Sequence, residues 1–190
     1  MAKVILITGG CRSGKSAHAQ RLAESAPGRR AFVATAPALD DEMRQRIARH
    51  REQRRRRGWD TIEETVELAP VLDANSEYDV LLVDCLTLWI NNLMYDAEQQ
   101  GRDIEEEEIA RAARQVVESS RRRTGTVIFV TNEVGMGIIP DNPPARRYGD
   151  LVGRCNQVIA AGADEVTLVV SGIATTLKAR TKEGAPAPGP

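Results

Sequence analysis

The sequence predicts an α/β fold, a mostly parallel sheet flanked by helices. Three observations predict it. Apolar Val/Ile/Leu runs of strand length recur along the chain, as strands covered by helices on both faces do. Between them lie segments with a 3.6-residue apolar stripe, clearest at Ile109, Ala113, Val116 and Val117. The first apolar run, Val4–Ile7, leads straight into Gly9-Gly10-Cys11-Arg12-Ser13-Gly14-Lys15-Ser16, which spells G-x-x-x-x-G-K-S between a strand and a helix.

Taken in order, the β-branched run Lys3–Thr8 is a strand. The helix Gly14–Ala26 follows, built on Ala17, Ala19, Leu22, Ala23 and Ala26. A second apolar run gives a strand at Arg30–Thr35. The helix Asp40–Arg57 sets Met43, Ile47 and His50 on one face, by a spacing of four and then three. The third strand is Val80–Asp84, and the helix Leu86–Gln99 carries Trp89, Ile90, Leu93 and Met94 as a core stripe. The striped helix spans Ile104–Arg123, and the fourth strand is Thr126–Thr131. Gly and Pro mark 132–144 as a loop, followed by a helix at Ala145–Ala161 and a strand at Glu165–Ser171. Residues 1–182 are expected to form a single domain, and the Gly/Ala/Pro tail 183–190 to be disordered.

Composition narrows the function. With 190 residues and 42% hydrophobic content the chain reads as an ordinary globular protein. A formal net charge of −1 gives no global field for nucleic acid or membrane. Three widely spaced cysteines, Cys11, Cys85 and Cys155, argue against a disulfide framework or a zinc site. The opening apolar run is too short for a signal peptide or a membrane span, so a cytoplasmic location is expected.

The chemistry starts at the glycine-rich loop. Its backbone N–H groups can wrap phosphate, Lys15 can reach the β and γ oxygens, and the Ser16 hydroxyl can hold Mg²⁺. The following helix points its positive end at the same place. Such a loop needs an acidic residue at the end of a neighbouring strand to hold the metal, and Asp84 fits, although an Asp there could also cap the helix beginning at Leu86. Thr131, Asn132 and Glu133 end the next strand and are candidates for substrate or phosphate contact. Of the two histidines, His18 lies in the first helix and reads as a packing residue. His50 stands among Arg46, Arg49, Arg51 and Arg54, which read as a cationic face with few acids. An imidazole nitrogen flanked by guanidinium groups suits in-line attack on a polyphosphate.

Several segments carry a family resemblance. They are G-G-C-R-S-G-K-S at Gly9–Ser16, A-T-A at Ala34–Ala36, L-D-D-E-M at Leu39–Met43 and R-I-A-R-H-R at Arg46–Arg51. Further on come T-N-E-V-G-M-G-I-I-P at Thr131–Pro140, N-Q at Asn156–Gln157 and V-V-S-G-I at Val169–Ile173. In this order the chain resembles the bifunctional adenosylcobinamide kinase/adenosylcobinamide-phosphate guanylyltransferases of cobalamin biosynthesis. The resemblance implies a RecA-like phosphate-loop NTPase fold and a homotrimer. It implies phosphorylation of adenosylcobinamide, then transfer of GMP from GTP through a guanylylated histidine to the cobinamide phosphate, giving adenosylcobinamide-GDP.

Carried onto this sequence, the resemblance makes His50 the guanylylated residue and Lys15 its catalytic companion in the phosphate loop. Gly9, Gly10, Cys11, Arg12, Ser13, Gly14, Lys15 and Ser16 would bind triphosphate. Ala34, Thr35 and Ala36, with Arg51, Glu52, Gln53 and Arg54, would lie along the GTP path. Glu63 and Asp84 would make further nucleotide contacts, and Ser16 and Asp84 would hold Mg²⁺. ATP or GTP would feed the kinase step. Two rivals are a small-molecule kinase using only the phosphate loop and a non-catalytic GTP switch. Against the switch, the sequence contains no N-K-x-D guanine-reading run.

Overall fold

The computed structural model describes residues 1–37 and 41–179. Leu39, Asp40 and the tail 183–190, which carried expectations above, lie outside the described residues. The sheet has seven strands: β1 (Lys3–Gly9), β2 (Arg30–Ala34), β3 (Trp59–Glu63), β4 (Val80–Asp84), β5 (Thr126–Val130), β6 (Glu165–Val170) and β7 (Ile173–Lys178). Their order across the sheet is β3-β2-β4-β5-β1-β6-β7, parallel except for the β6–β7 hairpin. The helices are α1 (Lys15–Ser25), α2 (Asp41–Arg56), α3 (Leu68–Ala74), α4 (Leu86–Gln99), α5 (Glu106–Arg122) and α6 (Pro143–Gly162).

The five strands expected from apolar runs all form, each within a residue of its expected bounds. They are the interior of the sheet, and all but β6 are almost wholly buried, which is why apolar runs alone revealed them. The sheet separates two apolar clusters. One joins α1, through Ala19 and Ala23, to Ile5, Ile7, Leu82, Ile128 and Val130. The other joins α3, α4, α5 and α6 to Leu6, Val83 and Phe129 on the opposite face. Trp89 and Ile90 are buried in the latter, with Leu93 and Met94 packed against it, as their stripe predicted.

Three elements were missed. Strands β3 and β7 are the two edges, and β7 (Ile-Ala-Thr-Thr-Leu-Lys) is exposed along its whole length. Edge strands need no continuous apolar run, so they leave a weak pattern. Helix α3 spans only seven residues and carries a proline. The expected loop 132–144 is also partly helical. A 3₁₀ turn covers Val134–Met136, and α6 starts at Pro143, because Asn142 accepts a hydrogen bond from the Ala145 N–H at 2.9 Å and proline suits a first helical position. The acidic block Glu105–Glu108 caps α5: the Glu105 and Glu108 side chains form a reciprocal capping box, and the acids face the positive helix end.

One placement corrects the expectation for Asp84. Strand β5 lies between β1 and β4, so Asp84 sits two strands from the phosphate loop rather than on the adjacent one. The register aligns Ile7, Val130 and Asp84 in one row across the three strands.

Candidate functional site

The carboxyl ends of β1, β2, β4 and β5 converge on one edge, where open parallel sheets hold their ligands. Gly9 and Gly14 have positive φ, as does Arg12 at 56°, and together they fold 9–16 into a compact loop before α1. The β6–β7 turn braces it, because the Gly172 N–H donates to the Ser13 carbonyl at 2.8 Å. Lys15 is only 8% exposed, and its Nζ donates to the Gly10 carbonyl at 3.1 Å. The Ser13 hydroxyl is buried with no hydrogen-bond partner. A buried orphan hydroxyl beside a buried ammonium fits an anion, since an unpaired polar group inside a protein is costly.

Asp84 does not cap α4. Cys85 holds the capping position, and no side-chain bond caps the helix. The Asp84 carboxyl instead accepts a hydrogen bond from Ser16. Burial raises its pKa above the ordinary carboxylate range, against the Ser16 hydrogen bond and the attraction of Lys15 and Arg54. A cation would relieve that cost, so the pair Ser16 and Asp84 fits Mg²⁺. Among the described residues no cluster of three or more His, Cys, Asp or Glu could hold a metal. A cation held here would therefore take its remaining oxygens from phosphate and water.

Helix α2 approaches the site through its second half. The Arg54 guanidinium stacks on the Phe32 ring at 3.9 Å and faces Asp84 and Glu63, while its Nε is buried without a partner. Burial lowers the Arg54 pKa from its ordinary value. Arg51 pairs with Glu63 at 3.4 Å, joining α2 to the end of β3. His50 is exposed one turn before Arg54. Gln53 is exposed too. No hydrogen bond or ion pair joins His50 to residues 9–16 among the described residues; Arg54, one turn on, faces Asp84, which accepts from Ser16.

The arginine-rich stretch is not a bare cationic face. Glu52 takes Arg55 and Arg56, whose hydrogen bonds hold its carboxyl at about 2, and Arg57 pairs with Glu24 of α1 at 2.6 Å. The expectation of few acids around His50 is thus corrected: acids arrive at helical spacing and from other elements.

Thr35 is fully buried, its hydroxyl donating to the Cys85 carbonyl and accepting from the Cys85 N–H, both at 2.8 Å. Its carbonyl accepts from Asn92 Nδ2 at 2.8 Å, so its hydrogen bonds lock the end of β2 to that of β4. Ala34 and Ala36 flank it at the rim.

A second polar chain runs behind the loop. Thr8 donates to Glu133 Oε1 at 2.5 Å, and Thr131 donates to Asn156 Oδ1 at 2.7 Å. Asn132 donates to Thr87 Oγ1 at 2.9 Å, and Tyr148 donates to the Thr87 carbonyl at 3.1 Å. Sequence reasoning singled out Thr131–Glu133 but missed Thr8, Thr87, Asn92 and Tyr148. Thr87 and Asn92 show in the sequence as polar residues inside apolar stretches, Thr8 as a strand end, and Tyr148 lies in a polar run that gives no signal.

The cobinamide kinase/cobinamide phosphate guanyltransferase family model matches residues 5–177. The chain belongs to that family. Among proteins similar to it is the bifunctional adenosylcobalamin biosynthesis protein CobU of Salmonella typhimurium, 41% identical over 182 residues, covering 92% of this chain and 99% of the relative. The CobU of Escherichia coli is 39% identical with the same coverage. The bifunctional adenosylcobalamin biosynthesis protein CobP of Pseudomonas aeruginosa is 42% identical over 174 residues, 91% of this chain and 96% of the relative. The family match spans the phosphate loop, α2 and the Thr131–Pro140 segment together. No helix among the described residues is long and apolar enough to cross a membrane.

Proposed function

We propose that the chain phosphorylates the aminopropanol hydroxyl of adenosylcobinamide with ATP or GTP and then transfers GMP from GTP, through His50, to the resulting phosphate. Family membership supports both activities. The observation that carries the reading is the buried Lys15 and orphan Ser13 hydroxyl in the phosphate loop, with Arg54, one turn from His50 on α2, facing the Asp84 carboxyl that accepts from Ser16. A site with a phosphate loop alone would need no such helix.

In the guanylyl step a ring nitrogen of His50 attacks the α-phosphorus of GTP. The bond to the β-phosphate oxygen breaks, and pyrophosphate leaves. An oxygen of the cobinamide phosphate then attacks the phosphorus, the P–N bond breaks, and His50 is restored. Arg54, desolvated against Phe32, lends its guanidinium to the charge gathering on the phosphoryl oxygens. Lys15 meets the β and γ oxygens. Ser16 and Asp84 would hold Mg²⁺, which supplies neutralisation of the phosphate charge when bound.

The assembly in this reading is a homotrimer, and the exposed Val170, Ile173 and Leu177 at the β6–β7 edge offer apolar surface for it. The free cysteines Cys11, Cys85 and Cys155 suit a reducing cytoplasm.

The test is incubation with GTP labelled at the α-phosphate. A label that survives denaturation, is released by acid and is absent from His50→Ala supports the transferase. A label retained by His50→Ala removes His50 from the chemistry. No label on the wild type leaves the single-activity kinase or the GTP switch.

A further inference from the structure

We propose that Glu133 is the group that takes the proton from the acceptor hydroxyl during phosphorylation. This rests on the kinase reading above and assigns a role within the same site. Four carboxylates stand at the ligand edge of the sheet, and three are engaged, Glu64 by the Val66 and Glu67 N–H groups at 2.8 and 2.9 Å. Asp84 accepts from Ser16, on the metal side of the phosphate loop, and Glu63 is paired with Arg51. Glu133 is in no ion pair among the described residues.

Its position is fixed from two directions. The Thr131 N–H continues the β1–β5 ladder by donating to the Ile7 carbonyl at 3.0 Å, and the Glu133 N–H donates to the Gly9 carbonyl at 3.3 Å. The next carbonyl, Gly10, accepts from Lys15 Nζ. Glu133, three residues past the end of β5, and the Lys15 ammonium of α1 are therefore tied to consecutive carbonyls of one loop. Both tethering side-chain bonds fall on one oxygen: Oε1 accepts from Thr8 at 2.5 Å and from Asn156 Nδ2 at 3.5 Å. Oε2 takes no hydrogen bond from the described residues and is not sealed in the core. A carboxylate with one oxygen held and the other open, beside a phosphate loop, is oriented to accept a proton.

The step balances simply. The acceptor oxygen bonds to the γ-phosphorus as the bond to the β,γ-bridging oxygen breaks, and the nucleoside diphosphate leaves with that electron pair. The hydroxyl proton passes to Glu133 Oε2 and then to water. Guanylyl transfer needs no such acceptor, because His50 is itself the nucleophile and the second substrate is already an anion.

Glu133→Gln separates the roles, since the amide oxygen still accepts from Thr8 but cannot take a proton. In the full chain with cobinamide and ATP, kcat for phosphorylation is expected to fall by about 10²–10⁴, while α-labelled adduct formation at His50 stays within about twofold. Phosphorylation within about fivefold of wild type, or both reactions falling together, overturns the assignment, the second outcome making Glu133 a prop for the loop. If Glu133→Gln does not fold, Glu133→Asp is measured instead, with the same selective loss expected on a smaller scale and the same equal loss refuting it. A wild-type protein that phosphorylates no cobinamide defeats the kinase reading itself, and Glu133 with it. An active Glu133→Gln defeats only the present inference.

Discussion

Adding one methyl group should destabilise the chain at Gly9 and leave it nearly unchanged at Gly10. A Cβ on Gly9 would run into the Val169 carbonyl oxygen of β6 and come within 2.8 Å of Ser13 Oγ, both inside the 3.0 Å that real Cβ atoms respect. Gly9 also has φ +154°, where side chains are strained. The carbonyl belongs to the strand paired with β1, Gly9 opposite Val169, so it cannot step aside without opening the ladder. Overpacking of this kind costs about 1–3 kcal/mol, and the backbone strain adds about 1 kcal/mol. In a chain of this size each kcal/mol lowers Tm by about 2–4 °C, which makes Gly9→Ala about 10 °C less stable. A Cβ on Gly10 meets nothing within 4 Å, so Gly10→Ala should melt within about 2 °C of wild type. Thermal unfolding followed by circular dichroism, without nucleotide, decides it. Equal melting temperatures for the two variants would refute the close β1–β6 approach at the phosphate loop.

Lys15→Ala should slow both phosphorylation and guanylylation by about 10²–10³, and turnover near wild type would reduce 9–16 to a structural turn. His50→Ala should lose the covalent adduct yet keep phosphorylation within about tenfold, measured as label transferred from γ-labelled ATP to cobinamide. Asp84→Asn carries a pH signature. Because burial raises the folded carboxyl above its unfolded value, the folded state binds the extra proton, and ligand-free stability falls as pH climbs from the ordinary carboxylate range through the raised value. The variant should lack that fall, melt at or above wild type at pH 7 without ligand, and gain less from Mg²⁺ with nucleotide. A variant less stable at pH 7 with its Mg²⁺ gain intact would show that Asp84 is structural.

The phosphate loop and the interior strands were legible because each rests on a local signal, a glycine spacing or an unbroken apolar run. The edge strands β3 and β7 were not, since half-exposed residues such as Asp60 and Thr61 obey no strict pattern. The charges around His50 misled for another reason. Glu24 lies on α1 and Glu63 on β3, and only the folded chain brings them to Arg57 and Arg51. Thr8 looked like a mere strand end, and its bond to Glu133 spans 125 residues of sequence. Distances along the chain hide such partnerships, while the motif segments themselves stay visible.

The insertion of β5 between β1 and β4 makes the hydrophobic core a measuring device. With neighbouring strands about 4.8 Å apart, the row Ile7–Val130–Asp84 sets the Asp84 backbone about 10 Å across from the end of β1. That gap is set by a strand whose Val127, Ile128, Phe129 and Val130 are all fully packed. A bulkier residue at Ile128 or Val130, on the face that packs against α1, would push that helix and so shift Ser16 relative to Asp84. The melting temperature and the affinity for a cation would both register that volume, so a residue outside the Ser16–Asp84 pair would act on it through the packing of α1.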